Sequence, residues 1–200
     1  GLAATMAGGL TLLGWQFDLP ALRSILPSWV AMNPATAVCF ILAGLALGLM
    51  TRDAPGPTIH NGVALCAVLV AFIGAAKLAG LITGHDLGLD QMLFREKLLP
   101  GGGLPPNRMA PNTAGGFLFV GLALLALRLE TVGKKWWSQA LAIIPLLFSL
   151  LALIGYAYGA ETFYRVTAYI PMAVNTALAF FVLSLGTLFA HPDRGLAALV

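Results

Sequence analysis

The sequence has few charged residues and few of the residues that build metal sites or disulfides. Only 10% of its 200 residues are Asp, Glu, Lys or Arg, and it contains two cysteines and three histidines. This set does not supply a four-ligand Cys/His zinc site without help from carboxylates. Cys39 and Cys66 each lie near the start of successive apolar runs, which begin at opposite faces of a bilayer. We therefore expect no disulfide between them.

The excess of positive charge is also small. Eleven Lys and Arg residues against eight Asp and Glu residues leave a net charge of +3, and the charges fall between apolar runs. This distribution argues against a nucleic-acid-binding surface. By contrast, 59% of the residues are hydrophobic and the mean hydropathy is +0.89. The composition predicts an integral membrane protein whose first partner is the lipid bilayer.

Long apolar runs indicate the number of membrane spans. A bilayer core about 30 Å thick requires about 20 apolar residues of helix, and the runs lack the alternation that is typical of barrel strands. We predict an all-α, polytopic bundle with six transmembrane helices. Their predicted ranges are 2–17, 34–51, 61–83, 111–128, 137–158 and 171–190.

Six spans would place both chain ends on one side of the membrane. The connections 18–33, 84–110 and 159–170 are long and share one face, here called the long-loop face, whereas the connections on the other face are short. Lys and Arg are equally numerous on the two faces, so charge does not decide the orientation. Residues 18–29, 87–99 and 161–170 have apolar residues at helical spacing and predict short interfacial helices in the long loops.

A motif repeated three times is the strongest internal signal. Met-x-x-x-Thr-Ala-x-x-Phe begins at Met32, Met109 and Met172, and each odd-numbered span ends on a Gly followed by an aromatic or apolar residue. The repeat unit is therefore a pair of helices. We place the repeats at about 1–51, 61–128 and 137–190, with 191–200 beginning a linker to a cytoplasmic module.

Two interpretations of this motif remain open. Small residues let helices approach closely in lipid, so packing in a three-hairpin bundle explains the motif by itself. Alternatively, the three motif starts lie at one depth on the long-loop face and form a polar pocket near the bundle axis. The candidate ligand-binding residues are Met32, Asn33, Thr36, Lys77, Met109, Asn112, Thr113, Met172, Asn175 and Thr176. Such a pocket suits a quinone-like headgroup, a small anion or a polar lipid group.

Lys77 is the one ionisable residue well inside a predicted span. Such a residue is costly in lipid and is a functional candidate by default. Its long stem also allows the ammonium to reach the long-loop interface, where it would balance a ligand or a carboxylate such as Asp86. His85, Asp86 and Asp90 form a weak candidate metal cluster, although a solvated loop is the simpler interpretation. We predict neither a metal site nor catalytic residues, and the sequence identifies no cofactor.

Several segments resemble a known group of membrane regions. The three motifs, the loop 88–94, the span end at 153–156 and the closing segment 191–195 resemble the multi-spanning N-terminal region of bacterial sensor histidine kinases and diguanylate cyclases. The resemblance implies a membrane input domain in the bacterial inner membrane, with both termini in the cytoplasm. Any kinase or cyclase activity would then belong to a domain outside this chain.

These observations predict a non-catalytic sensory domain of a signalling protein. It would bind a quinone- or lipid-like ligand near the long-loop face and form a homodimer or a larger membrane assembly. The alternative is an accessory or scaffold subunit of a membrane complex that packs against partner helices or pigments. Transport is less favoured because the three repeats are parallel rather than inverted. The chain starts at Gly1 without Met, which predicts an excised or processed segment.

Overall fold

Helices account for the secondary structure of this computed structural model, which describes residues 1–26, 29–51, 56–98, 107–130, 136–159 and 171–190. Within these ranges no strand occurs, which confirms the all-α prediction. A 3-10 helix spans Leu89–Gln91. The α-helices are α1 (Leu2–Gln16), α2 (Pro20–Arg23), α3 (Pro34–Met50), α4 (Pro57–Thr83), α5 (Arg95–Leu98), α6 (Pro111–Glu130), α7 (Trp137–Tyr158) and α8 (Val174–Leu188).

Each of the six predicted spans coincides with one long helix. The largest differences are at the helix starts. The predicted start of α4 at residue 61 is wrong, because the helix already begins at Pro57; proline suits the first turn, where its missing N–H and fixed φ cost nothing. The start of α8 is Val174 rather than residue 171, because Ala173 is extended, with φ −67° and ψ 149°.

The prediction of six membrane spans is supported in part. Among the described residues, three helices are long and apolar enough to cross a membrane: Pro57–Thr83, Pro111–Leu129 and Trp137–Tyr158. Helices α3 and α8 are apolar but have 17 and 15 residues, and α1 has 15. At a rise of about 1.5 Å per residue, these three are shorter than a hydrocarbon core of about 30 Å. Length and composition therefore identify three spans and not six.

The helices in the long loops are shorter than predicted. In place of one helix over 18–29, α2 has only four residues, and Ser24 after it is extended. The Arg23 carbonyl accepts a hydrogen bond from the Met32 N–H at 2.8 Å, so the chain turns back toward α3. Two short helices, Leu89–Gln91 and α5, occupy the predicted segment 87–99. The predicted helix at 161–170 and the linker at 191–200 lie outside the described residues.

The six long helices form three hairpins around a common axis. Helices α3, α6 and α8 contact one another and form an inner ring. Each outer helix packs on two inner ones: α1 on α3 and α8, α4 on α6 and α3, and α7 on α8 and α6. These contacts describe a pseudo-threefold bundle of helix pairs.

Three phenylalanines, one from each motif, meet on this axis. The ring centroids of Phe40, Phe117 and Phe180 are 4.9, 4.8 and 4.7 Å apart, pair by pair. All three side chains are fully buried. Tilted and edge-on contacts between aromatic rings are favourable at these distances. The three phenylalanines therefore stabilise the packing of α3, α6 and α8.

Small residues allow the hairpin helices to approach closely. A Cβ atom added to Gly74 of α4 would lie 2.5 Å from the Ala114 carbonyl oxygen of α6. Likewise, a Cβ atom on Gly121 of α6 would lie 2.6 Å from the Ala67 carbonyl oxygen of α4. Because neither site has room for a side chain, these glycines allow α4 and α6 to pack closely.

Candidate functional site

Buried methionines and threonines mark the starts of the three inner helices. Met32, Met109 and Met172 lie two turns before the phenylalanine cluster and are at most 3% exposed. One turn deeper, Thr36, Thr113 and Thr176 are each 2% exposed. A methionine layer and a threonine layer therefore stand between the long loops and the phenylalanine cluster.

The asparagines at these helix starts accept hydrogen bonds from backbone N–H groups of their own helices, and Asn33 does so as the N-cap residue of α3. The Asn33 Oδ1 accepts a hydrogen bond from the Ala35 N–H at 2.9 Å. In the same way, the Oδ1 atoms of Asn112 and Asn175 accept from the next residue's N–H at 3.0 and 3.1 Å. These bonds satisfy backbone N–H groups that the first helical turn leaves without partners.

Two of these asparagines also join one repeat to the loop of another. The Asn33 Nδ2 donates to the Asp90 backbone carbonyl at 3.0 Å, which joins the first repeat to the second. The Asn175 Nδ2 donates to the Arg23 carbonyl at 2.8 Å, which joins the third repeat to the first. Both amides thus donate hydrogen bonds within the protein. Ligand binding by the three asparagines at the helix starts stays a prediction.

In the first and third repeats, an aromatic side chain closes the helix pair. The Trp15 Nε1–H donates to the Met32 carbonyl, and the Tyr156 hydroxyl donates to the Met172 carbonyl, both at 2.8 Å. Each aromatic residue follows the glycine noted in the sequence near the end of the outer helix. In the second repeat Leu81 follows the corresponding glycine, and its side chain has no hydrogen-bonding group.

The second repeat has charged side chains at this level instead. The Lys77 Nζ lies 2.6 Å from the Asp86 Oδ2 and 2.9 Å from the Asp90 Oδ2. The Arg108 Nη1 lies 3.7 Å from the same Asp86 oxygen. We call Lys77, Asp86, Asp90 and Arg108 the polar cluster. The predicted pairing of Lys77 with Asp86 is confirmed, and since the Lys77 side chain is only 3% exposed, its ammonium meets the loop rather than water.

Local backbone features bring this loop down onto Lys77. Gly84 ends α4 in the left-handed conformation at φ 74°, which reverses the chain. A Cβ atom on Gly80 would lie 3.0 Å from the Asp86 Cα, so the glycine lets the returning loop pack closely on α4. The Asp86 Oδ1 then accepts a hydrogen bond from the Gly88 N–H at 3.0 Å. These features place the Asp86 carboxylate beside the last turns of α4.

Asp90 connects three helices. Its side chain is 1% exposed, and its Oδ2 accepts from the Met109 N–H at 2.7 Å as well as from Lys77. Its backbone carbonyl accepts the Asn33 amide bond described above. Asp90 therefore holds the start of α3, the end of α4 and the start of α6. Sequence reasoning considered Asp90 only within a metal cluster; the signal for its role was the isolated Lys77 in an apolar run.

The Asp86 carboxylate is held in its ionised form. Partial burial raises its pKa, but hydrogen bonds from Lys77 and the Gly88 N–H, together with the charges of Lys77 and Arg108, outweigh burial and leave the pKa below its usual value. At neutral pH, Asp86 therefore carries its full negative charge beside Lys77.

A second charged group caps the end of α1. The Lys97 Nζ donates to the Trp15 carbonyl and to the Asp18 Oδ2, both at 2.7 Å. The Arg23 Nε donates to the Gly14 carbonyl at 2.9 Å, and the guanidinium lies 4.5 Å above the Trp15 ring. Cationic groups at a helix C-terminus satisfy its last carbonyls and oppose the helix dipole. These charged side chains therefore stabilise the end of α1 and the loop segments that contact it.

Metal-binding geometry is not found in the part of the chain that the structure describes. No three His, Cys, Asp or Glu side chains there are grouped so as to hold an ion. Cys39 is buried and Cys66 is half-buried, and both are free thiols, in agreement with the expectation of no disulfide between them.

Comparisons with protein-family models, with curated proteins and with solved structures found no match for this chain. The resemblance to sensor regions therefore rests on the sequence motifs alone.

Proposed function

We propose that this chain is a membrane-embedded input domain of a bacterial signalling protein. It binds a small hydrophobic or amphipathic molecule, quinone- or lipid-like, near the long-loop face. Binding is non-catalytic, and any catalytic step belongs to a module outside this chain. The observation that carries the proposal is the position of Asp90, a buried carboxylate that holds the ends of three helices at once.

The polar cluster suits a sensing role because its contacts are costly and few. A buried lysine and a buried carboxylate are stable only while they remain paired. A ligand that moves Asp90 would change its bonds to Lys77 and to the Met109 N–H, and thus shift α4 against α6. A ligand produces such a shift only if it binds one packing arrangement better than the other. Helix α8, which packs on α3 and α6, would carry the shift to the far face.

The proposal includes six spans, with the short loops and both ends in the cytoplasm. It is supported by α1, which is short but exposes apolar residues at helical spacing: Leu2, Met6, Leu10 and Leu13 are 46–74% exposed. A side facing water would not present such a stripe. Because α1 and α8 pack within the same threefold bundle, they lie at the depth of the longer helices. Local thinning of the bilayer accommodates the difference in length.

The first test compares the small molecules that variants retain. Wild-type chain, Lys77→Met and the control Glu96→Gln, which changes an exposed carboxylate of the same loop, are purified from bacterial membranes in mild detergent. Mass spectrometry of the extracted molecules is expected to find one compound in stoichiometric amount with wild type and Glu96→Gln, and to find it depleted with Lys77→Met. Equal retention of bulk lipids by all three proteins would contradict the proposal.

The same preparation separates sensing from a scaffold role. An input domain is expected to purify as a homodimer or another assembly of this chain without foreign subunits. Co-purification of a partner protein in fixed stoichiometry, independent of Lys77, would favour the accessory-subunit function instead.

A further inference from the structure

One oxygen of the Asp90 carboxylate has no hydrogen-bond partner in the described part of the chain. While its Oδ2 accepts from Lys77 and the Met109 N–H, its Oδ1 is buried without a hydrogen-bond donor among the described residues. Both oxygens share one carbon, so the Oδ1 lies within the polar cluster. The next residue lacks the opposite kind of partner, since the buried Gln91 Nε2 has no hydrogen-bond acceptor among the described residues. Buried polar atoms are nearly always bonded, and two exceptions on one 3-10 helix point to an additional group.

The charges of the cluster indicate what kind of group this is. Two positive side chains, Lys77 and Arg108, face two negative ones, Asp86 and Asp90, so the formal charges sum to zero. A cationic ligand would disturb this balance in a buried environment. The missing partner is therefore a neutral hydrogen-bond donor.

Exposure indicates how such a ligand is oriented. The Asp90 side chain is 1% exposed, Asp86 is 26% exposed and Arg108 is 50% exposed, so the cluster opens from the interior toward the long-loop surface. Next to it in the chain, Leu87 and Met92 are about 70% exposed. A molecule with a polar end inside and an apolar body against these residues fits this gradient.

We propose that the polar cluster binds an uncharged amphipathic molecule through a hydroxyl group. The hydroxyl donates to the Asp90 Oδ1 and accepts from the Gln91 Nε2, because a hydroxyl is the smallest group that both donates and accepts. The inference rests on the proposed function, since it names the ligand class for the same site. Within quinone- or lipid-like molecules, it selects headgroups with a free hydroxyl over those with acceptors only.

The test uses two probes that differ in one donor. Binding of para-nonylphenol and of its methyl ether is measured by equilibrium dialysis against the chain in lipid nanodiscs, with empty nanodiscs as the partition control. The phenol is expected to bind saturably, and the ether to bind about tenfold or more weakly, because it cannot donate to a charged acceptor. This comparison requires no variant and does not depend on the folding of a mutant.

Variants then identify the carboxylate that accepts the hydrogen bond of the phenol hydroxyl. Asp90→Asn is expected to weaken phenol binding to about the level of the ether, whereas Asp86→Asn is expected to keep a clear preference for the phenol. Glu96→Gln, a matched carboxylate change on the exposed surface, is expected to bind both probes as wild type does. Loss of the preference in Asp86→Asn but not in Asp90→Asn would overturn the assignment to Asp90.

The remaining outcomes separate this inference from the proposed function. Equal saturable binding of phenol and ether overturns the hydroxyl proposal but leaves an amphipathic-ligand sensor standing. Tighter binding of nonylamine than of the phenol overturns the neutral-donor argument alone. Saturable binding of neither probe overturns the hydroxyl proposal and leaves a water molecule as the donor to the Asp90 Oδ1; the retained-molecule experiment then decides the proposed function separately.

Discussion

We call the long-loop end of each helix pair its entrance. The entrance of the second repeat differs from those of the first and third. In the first and third repeats, a neutral aromatic donor, Trp15 or Tyr156, closes the helix pair with one hydrogen bond. In the second, Lys77 and two carboxylates do so with ion pairs. Below the entrances the packing is alike, with a motif phenylalanine in every repeat. Where a symmetric design is broken at cost, as with a charge buried in an apolar helix, function is the natural explanation.

Among the variants that test this difference between the repeats, Lys77→Met is expected to lower the free energy of unfolding most. The variant leaves the buried Asp90 carboxylate without its cation, and breaking a buried pair costs about 3–5 kcal/mol of the free energy of unfolding. Helical circular dichroism during denaturation of the detergent-solubilised protein measures the change.

The control lies at the corresponding position of the first repeat. Thr11 is also buried, three residues before the glycine near the end of its helix, and Thr11→Val is expected to change the free energy of unfolding by about 1 kcal/mol or less. The double variant Lys77→Met with Asp90→Asn should regain part of the loss. Equal losses for Lys77→Met and Thr11→Val would show that the second entrance is not special.

A smaller effect tests the packing that the repeats share. Gly8 and Gly74 occupy equivalent positions on α1 and α4, and an added Cβ would meet the Ala37 or the Ala114 carbonyl oxygen. Gly8→Ala and Gly74→Ala are each expected to destabilise the protein by about 1–3 kcal/mol through overpacking. The control Gly62→Ala, where nothing lies within 4 Å, should be neutral or stabilising. A large difference between Gly8→Ala and Gly74→Ala in the same unfolding assay would contradict common packing.

The third entrance is held by the hydrogen bond of Tyr156, whereas the second is held by ion pairs. Tyr156→Phe removes the donor to the Met172 carbonyl and keeps the ring, so we expect a loss of about 1 kcal/mol in the free energy of unfolding. Tyr158→Phe on the same helix is the control, because Tyr158 is 83% exposed. Equal, negligible effects of the two changes would mean that the aromatic closure adds nothing.

The smallest effect concerns the acid range. The lowered pKa of Asp86 stabilises the fold above the ordinary carboxyl pKa of about 3.9, and this contribution is lost as the pH falls through the lower folded-state pKa. Wild type should therefore lose more stability than Asp86→Asn between about pH 5 and pH 3. Unfolding curves across this range measure the difference, and parallel pH profiles would refute the ionic role of Asp86.

The sequence predicts the helices better than the site. Apolar runs and the repeated motif place six long helices within a few residues, because helix formation in an apolar chain depends on local composition. Length and composition identify three of the six predicted spans among the described residues, because helices such as α3 end early, at Met50. The Asp90 site was missed because its bonds join residues far apart in the chain, such as Asn33 and Asp90, which are 57 positions apart. No local pattern records which loop an asparagine will hold.

The phenylalanine cluster has a consequence for movement within the bundle. Phe40, Phe117 and Phe180 touch one another pair by pair and are fully buried, so they fill the axis between the three inner helices. Because a close-packed interior transmits strain, a displacement of one inner helix has to move the phenylalanines of the other two.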